Sequence, residues 1–350
     1  MKTGLIKKYR EFLPAVPEHS IISLNEGDTP LVQAKNLAEH LKIDAEIFFK
    51  CEGANPTGSF KDRGMTMAIS KAAESGSKAV ICASTGNTSA SAAAYAARAN
   101  MKCAVLIPDG KIALGKLSQA IQFGAKVIPI TGNFDDALEF VKQISENHPI
   151  TLVNSINPYR IDGQTTGAFE ICDELLRAPD YQFMPVGNAG NITAYWRGYK
   201  KYLEAGKIST LPKMMGWQAA GSAPIVAGHA IKKPETIATA IRIGNPASWK
   251  QAEAARDESG GTIGAVTDEE IISAYKLLST YEGIFAEPSS CASLAGLIKY
   301  CKENKIKKGS RIVCILTGNG LKDPDSAIKY TELNLAPVRT QEEILARIGL

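Results

Sequence analysis

Four short stretches of this chain carry groups suited to chemistry, and the first holds a lysine. In Asn55-Pro-Thr-Gly-Ser-Phe-Lys-Asp-Arg-Gly64, a Pro-Thr-Gly-Ser turn leads into an amphipathic helix. Lys61 falls in or beside its first turn, where the positive end of the helix dipole disfavours a cation and should lower the ammonium pKa. Such a lysine can supply the neutral amine that Schiff-base chemistry needs, although a lysine beside Asp62 and Arg63 is ordinarily a solvated charge. The second stretch, Ser84-Thr-Gly-Asn-Thr-Ser-Ala-Ser91, joins an apolar run to an alanine-rich one. Its hydroxyls can cap the helix, while Asn87 and exposed N–H groups could instead hold a phenolate oxygen and a carboxylate. The third, Gly187-Asn-Ala-Gly-Asn191, has the make-up of a phosphate cradle without a basic residue, or of a plain strand-to-helix turn. It lacks the Lys-Ser/Thr of a P-loop and the spacing of a dinucleotide fingerprint. In the fourth, Leu316-Thr-Gly-Asn-Gly-Leu, Thr317 sits at the carboxyl edge of an apolar strand. A hydroxyl there can bond a neutral heteroaromatic nitrogen, or merely end the strand.

Jointly these loops offer an amine, an oxyanion site, a phosphate nest and a partner for a ring nitrogen. Those are the binding requirements of pyridoxal 5′-phosphate, a cofactor that brings its own electron sink and leaves the protein to position it.

The elements that must position them follow a regular pattern. Apolar runs at 78–83, 102–107 and 125–130 alternate with helical stretches at 87–99, 113–123 and 134–147, and a further run starts at 151. Strands alternating with helices imply a parallel sheet with right-handed crossovers. The second half reads as strands at 181–186, 213–218 and 311–316, with helices at 193–205, 267–281 and 291–304. Residues 1–50 hold the Glu26-Gly-Asp-Thr-Pro-Leu turn and a strand at 46–50, expected to pack on the second half. The expected architecture is α/β, with two lobes, each a mostly parallel sheet flanked by helices. The smaller is 52–154, and the larger is 1–51 with 155–350. A ligand is expected in the cleft between them. The stretch from 230 to 261 carries charges and no motif.

Composition narrows the function classes. With 350 residues, 45% of them hydrophobic and 22% charged, the chain is neither disordered nor fibrous. A formal charge of +4, spread along the chain, is far from a nucleic-acid footprint. There is no eighteen-residue apolar run, and the start, Met-Lys-Thr-Gly-Leu-Ile-Lys-Lys, lacks the apolar core of a signal peptide, so a cytoplasmic protein with no membrane partner is expected. Seven cysteines without a Cys-x-x-Cys pair read as reduced thiols, and four histidines without ligand spacing argue against a metal site.

The motifs Gly27-Asp-Thr-Pro-Leu, Ser59-Phe-Lys-Asp-Arg-Gly, Ser84-Thr-Gly-Asn-Thr, Asn157-Pro-Tyr-Arg, Gly187-Asn-Ala-Gly-Asn and Leu316-Thr-Gly-Asn-Gly-Leu span nearly the whole chain. Together they resemble those of the fold-type II (tryptophan synthase β-like) pyridoxal-phosphate enzymes, and within them the short bacterial branch that makes L-threonine and phosphate from O-phospho-L-homoserine and water. The resemblance implies that Lys61 carries the cofactor covalently and that Asn87 contacts the ring hydroxyl. It implies further that Gly187, Asn188, Ala189, Gly190 and Asn191 bind the cofactor phosphate, and that Thr317 meets the pyridine nitrogen. It also implies a homodimer. A phosphorylated substrate needs a second anion site, and Arg160 could grip a dianion there or make an interlobe salt bridge instead. Ser155 and Asn188 are further donors; Thr85 and Thr88, with Ser84 beside them, could hold the substrate α-carboxylate. Lys116 is a weaker candidate, more simply a helix-surface charge. A serine or threonine dehydratase of the same family is the alternative, but those typically carry a glycine-run phosphate loop. Cysteine synthases usually show valine where Phe60 stands and a serine-bearing final loop. A two-lobed small-ligand-binding protein would have no use for Lys61 in this setting.

Overall fold

The computed structural model of the chain describes residues 3–109, 114–331 and 335–349. Among the described residues, ten strands fall into two sheets. They are β1 (Leu31–Gln33), β2 (Ala45–Cys51), β3 (Ala79–Ala83), β4 (Lys102–Pro108), β5 (Lys126–Ile130), β6 (Ile150–Leu152), β7 (Tyr181–Pro185), β8 (Lys213–Ala219), β9 (Thr262–Val266) and β10 (Ser310–Leu316). The smaller sheet runs β5-β4-β3-β6 and is parallel throughout; the larger runs β1-β2-β10-β7-β8-β9, with only the edge strand β1 antiparallel.

Parallel strands are covered by helices on both faces, and the side chains alternate accordingly. On β3, Val80 and Cys82 pack with Met65, Ala68 and Ile69 of the helix Lys61–Glu74 and with Ala92, Ala93 and Ala96 of the helix Asn87–Arg98. Ile81 and Ala83 point the other way, toward Ala137 and Val141 of the helix Phe134–Asn147. On β10, Val313 and Ile315 enter one core, while Ile312, Cys314 and Leu316 enter the other. The edge strand β5 is mostly exposed and carries Pro129, which an edge tolerates.

Strand order reverses at one place in each sheet. In the smaller sheet β4 and β5 lie on one side of β3 and β6 on the other; in the larger, β8 and β9 lie on one side of β7 and β10 on the other. Such switch points open a crevice at the carboxyl ends of the strands. All the candidate loops leave from there: Ser84 after β3, Asn154 and Ser155 after β6, Gly187 after β7 and Thr317 after β10.

Several boundaries differ from the sequence expectation. The helix after the glycine-asparagine loop starts at Gly190 rather than 193, because Ala189 takes a left-handed conformation and turns the chain inside the motif. Another starts at Pro288 rather than 291, with Pro in its first turn. The unread stretch holds a helix, Trp249–Glu258, and leads into β9. The expected helix start at Ala113 and the side chain of Lys116 lie outside the described residues. All seven cysteines are free, five of them buried. Among the described residues no helix is long and apolar enough to cross a membrane.

Candidate active site

Three loops are joined by backbone hydrogen bonds at the floor of the crevice. Phe60 N–H donates to the Thr317 carbonyl (3.0 Å), Asn319 N–H to that of Gly58 (2.9 Å) and Glu287 N–H to that of Gly318 (3.0 Å). The turn before Lys61 is therefore fixed to the end of β10. A buried carboxylate adds a second tie: Asp62 accepts from Thr57 N–H (2.7 Å), Thr57 Oγ1 (2.6 Å) and Ser91 Oγ (2.6 Å), linking the Lys61 helix to the Asn87 helix. A third tie is steric. Where the Lys61 helix meets the helix Pro158–Leu175, a Cβ on Gly64 would lie 2.7 Å from the Arg160 carbonyl and one on Gly163 2.0 Å from that of Arg63. Only glycine allows this approach, and it holds the amino-terminal turns bearing Lys61 and Arg160 together.

The Lys61 amine is brought down to about 7, chiefly by burial and then by the charge of Arg160, with Glu287 opposing. The direction is the one read from the sequence, but desolvation and a neighbouring cation lead the causes rather than the helix dipole. Its Nζ lies 4.3 Å from the centroid of the Phe60 ring.

Asn87, Thr317 and Glu287 meet. Asn87 Nδ2 donates to both Glu287 oxygens (3.2 and 3.1 Å), and Thr317 Oγ1 lies 3.3 Å from Oε1. The serines and threonines of the second motif do not cap the Asn87 helix, contrary to one expectation. Gly86 is its N-cap, Ser84 Oγ accepts from Gly86 N–H (3.3 Å), and Ser91 turns to Asp62. Ser84, Thr85 and Thr88 stay half-buried at the loop, and Asn154, beyond β6, is fastened to the end of β3 through two 2.9 Å bonds with the backbone of Ala83.

Arg160 makes no interlobe salt bridge among the described residues. It is 1% exposed, Nη1 donates to the Val153 carbonyl (3.2 Å), and Nε and Nη2 find no partner among the described residues. Burial lowers even this guanidinium to about 10. A buried cation with two idle donors is costly unless an anion joins it. Nearby, Asn188 Nδ2 donates to Ser155 Oγ, while Asn188 Oδ1 accepts from Ala247 N–H (2.6 Å). The motif-free stretch thus walls the Gly187–Asn191 loop: a Cβ on Gly187 would lie 2.9 Å from the Ile241 Cα, and Ser248 N–H reaches the Asn188 carbonyl (3.3 Å).

Residues 22–318 match the family described as "Pyridoxal-phosphate dependent enzyme". The chain belongs to this family. Threonine synthase from Halalkalibacterium halodurans is 59% identical over 97% of this chain and 95% of its own. Those of Synechocystis sp. (60%; 98% and 90%) and Methanocaldococcus jannaschii (56%; 93% and 82%) are similarly related. Among solved structures, serine racemase from Dictyostelium discoideum has a TM-score of 0.71 at 26% identity over 91% of this chain and 98% of its own. The processed form of threonine deaminase isoform 2 from Solanum lycopersicum, at 24% identity, shares the fold with a TM-score of 0.77 over 95% of this chain and 94% of its own.

The residues fit the pyridoxal phosphate of this family. An amine near pKa 7 feels the charge of Glu287, which Asn87 and Thr317 both touch. The Gly187–Asn191 loop ends in a helix amino terminus, and both side-chain polar atoms of Asn191 are buried without a partner among the described residues. Two buried carboxylates that hold the candidate groups in place escaped the sequence reading, Glu287 and Asp62. The acid-then-proline helix start at Glu287-Pro288 was the available signal for the first; Asp62 stood beside Lys61 and was read only as its neighbour.

Proposed function

We propose that this chain converts O-phospho-L-homoserine and water to L-threonine and phosphate, the threonine synthase reaction. Arg160 carries the reading: a buried guanidinium with two idle donors, next to the Lys61 amine and additional to the Gly187–Asn191 nest. It gives the site a second place for a phosphate, as this substrate requires. Relatives at 56–60% identity bearing that name support the same reading.

Pyridoxal phosphate, when bound, supplies the electron sink that makes hydrogens on the substrate carbons acidic. Gly187–Asn191 would hold its phosphate through N–H groups, Asn87 would meet the ring hydroxyl, Thr317 the ring nitrogen, and Lys61 its aldehyde. As a free amine, Lys61 would take and return protons at the substrate Cα and Cβ, and a pKa near 7 suits both directions. Arg160, with Ser155 and Asn188, grips the phosphate that leaves Cγ. Ser84, Thr85 and Thr88 orient the α-carboxylate. The departing phosphate, still held by Arg160, is the base assigned to the water that adds at Cβ. Residues 52–154 act as the smaller lobe and 1–51 with 155–350 as the larger, and the reading extends, by resemblance, to a cytoplasmic homodimer.

The test is to incubate the cofactor-loaded protein with O-phospho-L-homoserine and measure both products. Threonine and phosphate should appear in equal amounts. Ammonia and a 2-oxo acid in place of threonine would instead make the chain a dehydratase.

A further inference from the structure

We propose that Glu287 is a positioning residue that sets which way the Asn87 amide and the Thr317 hydroxyl point. The carboxylate is 4% exposed, at the start of the helix Pro288–Lys302, and touches both side chains from the protein side. An ionised carboxylate only accepts hydrogen bonds. Asn87 must therefore turn its NH2 group toward Glu287, which leaves Oδ1 as the atom facing elsewhere. Thr317 has a single proton to give. Its Oγ1 lies 2.9 Å from Ser290 Oγ, which accepts from Gly318 N–H (3.0 Å) and can donate either to Thr317 or to the Gly318 carbonyl (3.3 Å). While Glu287 is ionised, the Thr317 proton goes to Glu287 and only a lone pair is left for a ring nitrogen. When Glu287 takes a proton from solvent, its O–H donates to Thr317, and the Thr317 proton is released toward that nitrogen.

Burial raises the Glu287 carboxyl above its ordinary value. Lys61 and Lys322 are the charged groups facing it and favour ionisation; Cys291, one turn along the same helix, is held neutral by burial. The inference rests on Thr317 meeting the ring nitrogen, and it leads to an unusual sign. As pH rises through the Glu287 titration, Thr317 changes from donor to acceptor, and the ring nitrogen should gain proton occupancy rather than lose it.

The test uses protein loaded with pyridoxal phosphate labelled with 15N in the ring, and follows the nitrogen chemical shift against pH. Wild type should move toward the proton-bearing value as pH rises from acid to neutral. Glu287→Gln can still accept from Asn87 and donate to Thr317, so it keeps the contacts without the charge, and the rise should be lost. Thr317→Val removes the hydroxyl and should lose it too. A wild-type shift that ignores pH, or the same rise in either variant, would overturn the proposal. Borohydride trapping on the same samples separates the two failures: without label on Lys61 the site reading itself falls, and with Lys61 labelled only the role of Glu287 does.

Discussion

At pH 7 about half of the Lys61 side chains in the free protein carry no proton, because burial and Arg160 bring the amine to about 7. Amine-directed acylation of Lys61 in the cofactor-free protein should therefore rise with pH to a midpoint near 7. Replacing Arg160 by methionine removes a repelling cation, so the midpoint should move up; an unchanged midpoint would mean that burial alone sets it. Arg160→Met should also weaken O-phosphohomoserine binding more than Arg160→Lys, which keeps the charge but loses the planar fork, measured as KM. Lys61, Asn87 and Thr317 were legible in the sequence because each stands in a local motif at a strand-to-helix junction. Glu287 was not, since its role depends on contacts with Asn87, 200 positions before it, and Thr317, 30 positions after it. Nor could sequence show that Arg160 meets no carboxylate among the described residues, because that depends on how elements distant in the chain pack around it.

Among the elements, the Lys61 helix matters most, and a buried ionic cluster anchors its first turn. Arg63 donates to Glu52 (2.6 Å) and Glu170 (2.6 Å), and Lys50 reaches Glu170 (2.8 Å). The pairing holds Glu170 well below the usual carboxylate range, despite its burial. A depressed acid contributes stability above its unfolded pKa and loses it as pH falls toward the folded value. Glu170→Gln should thus cost about 3–5 kcal/mol at pH 7, the scale for breaking a buried pair, and much less in acid. Urea unfolding at both pH values checks this, and equal costs would contradict it. Asp62 has the opposite sign. Burial raises it to about 6, so its ionisation subtracts stability as pH rises from about 4 to 6, and Asp62→Asn should flatten that limb of the curve. At the crossing, Gly163→Ala must push back a carbonyl, costing about 1–3 kcal/mol or more. The βα repeats from β3 to β6 were readable because each strand alternates between two buried faces. The helix starting at Gly190 was misplaced because Ala189 adopts a left-handed turn that favours glycine, a choice made by packing rather than by residue type.

At the scale of the whole molecule, two sheets present their switch points to one crevice, and the groups read from the sequence stand on the loops that leave the strands' carboxyl ends or in the first turns of the helices that follow. That arrangement was foreseeable from the alternation of strands and helices. The stretch 230–261 was opaque because its service is structural: it contributes backbone and Ile241 to the wall behind Gly187, with no motif to mark it. All of it converges on one lysine. Reduction of the cofactor-loaded protein with borohydride, followed by peptide mass mapping, tests this most directly. The account predicts a single phosphopyridoxyl adduct, on Lys61; an adduct on another lysine, or none, would contradict it.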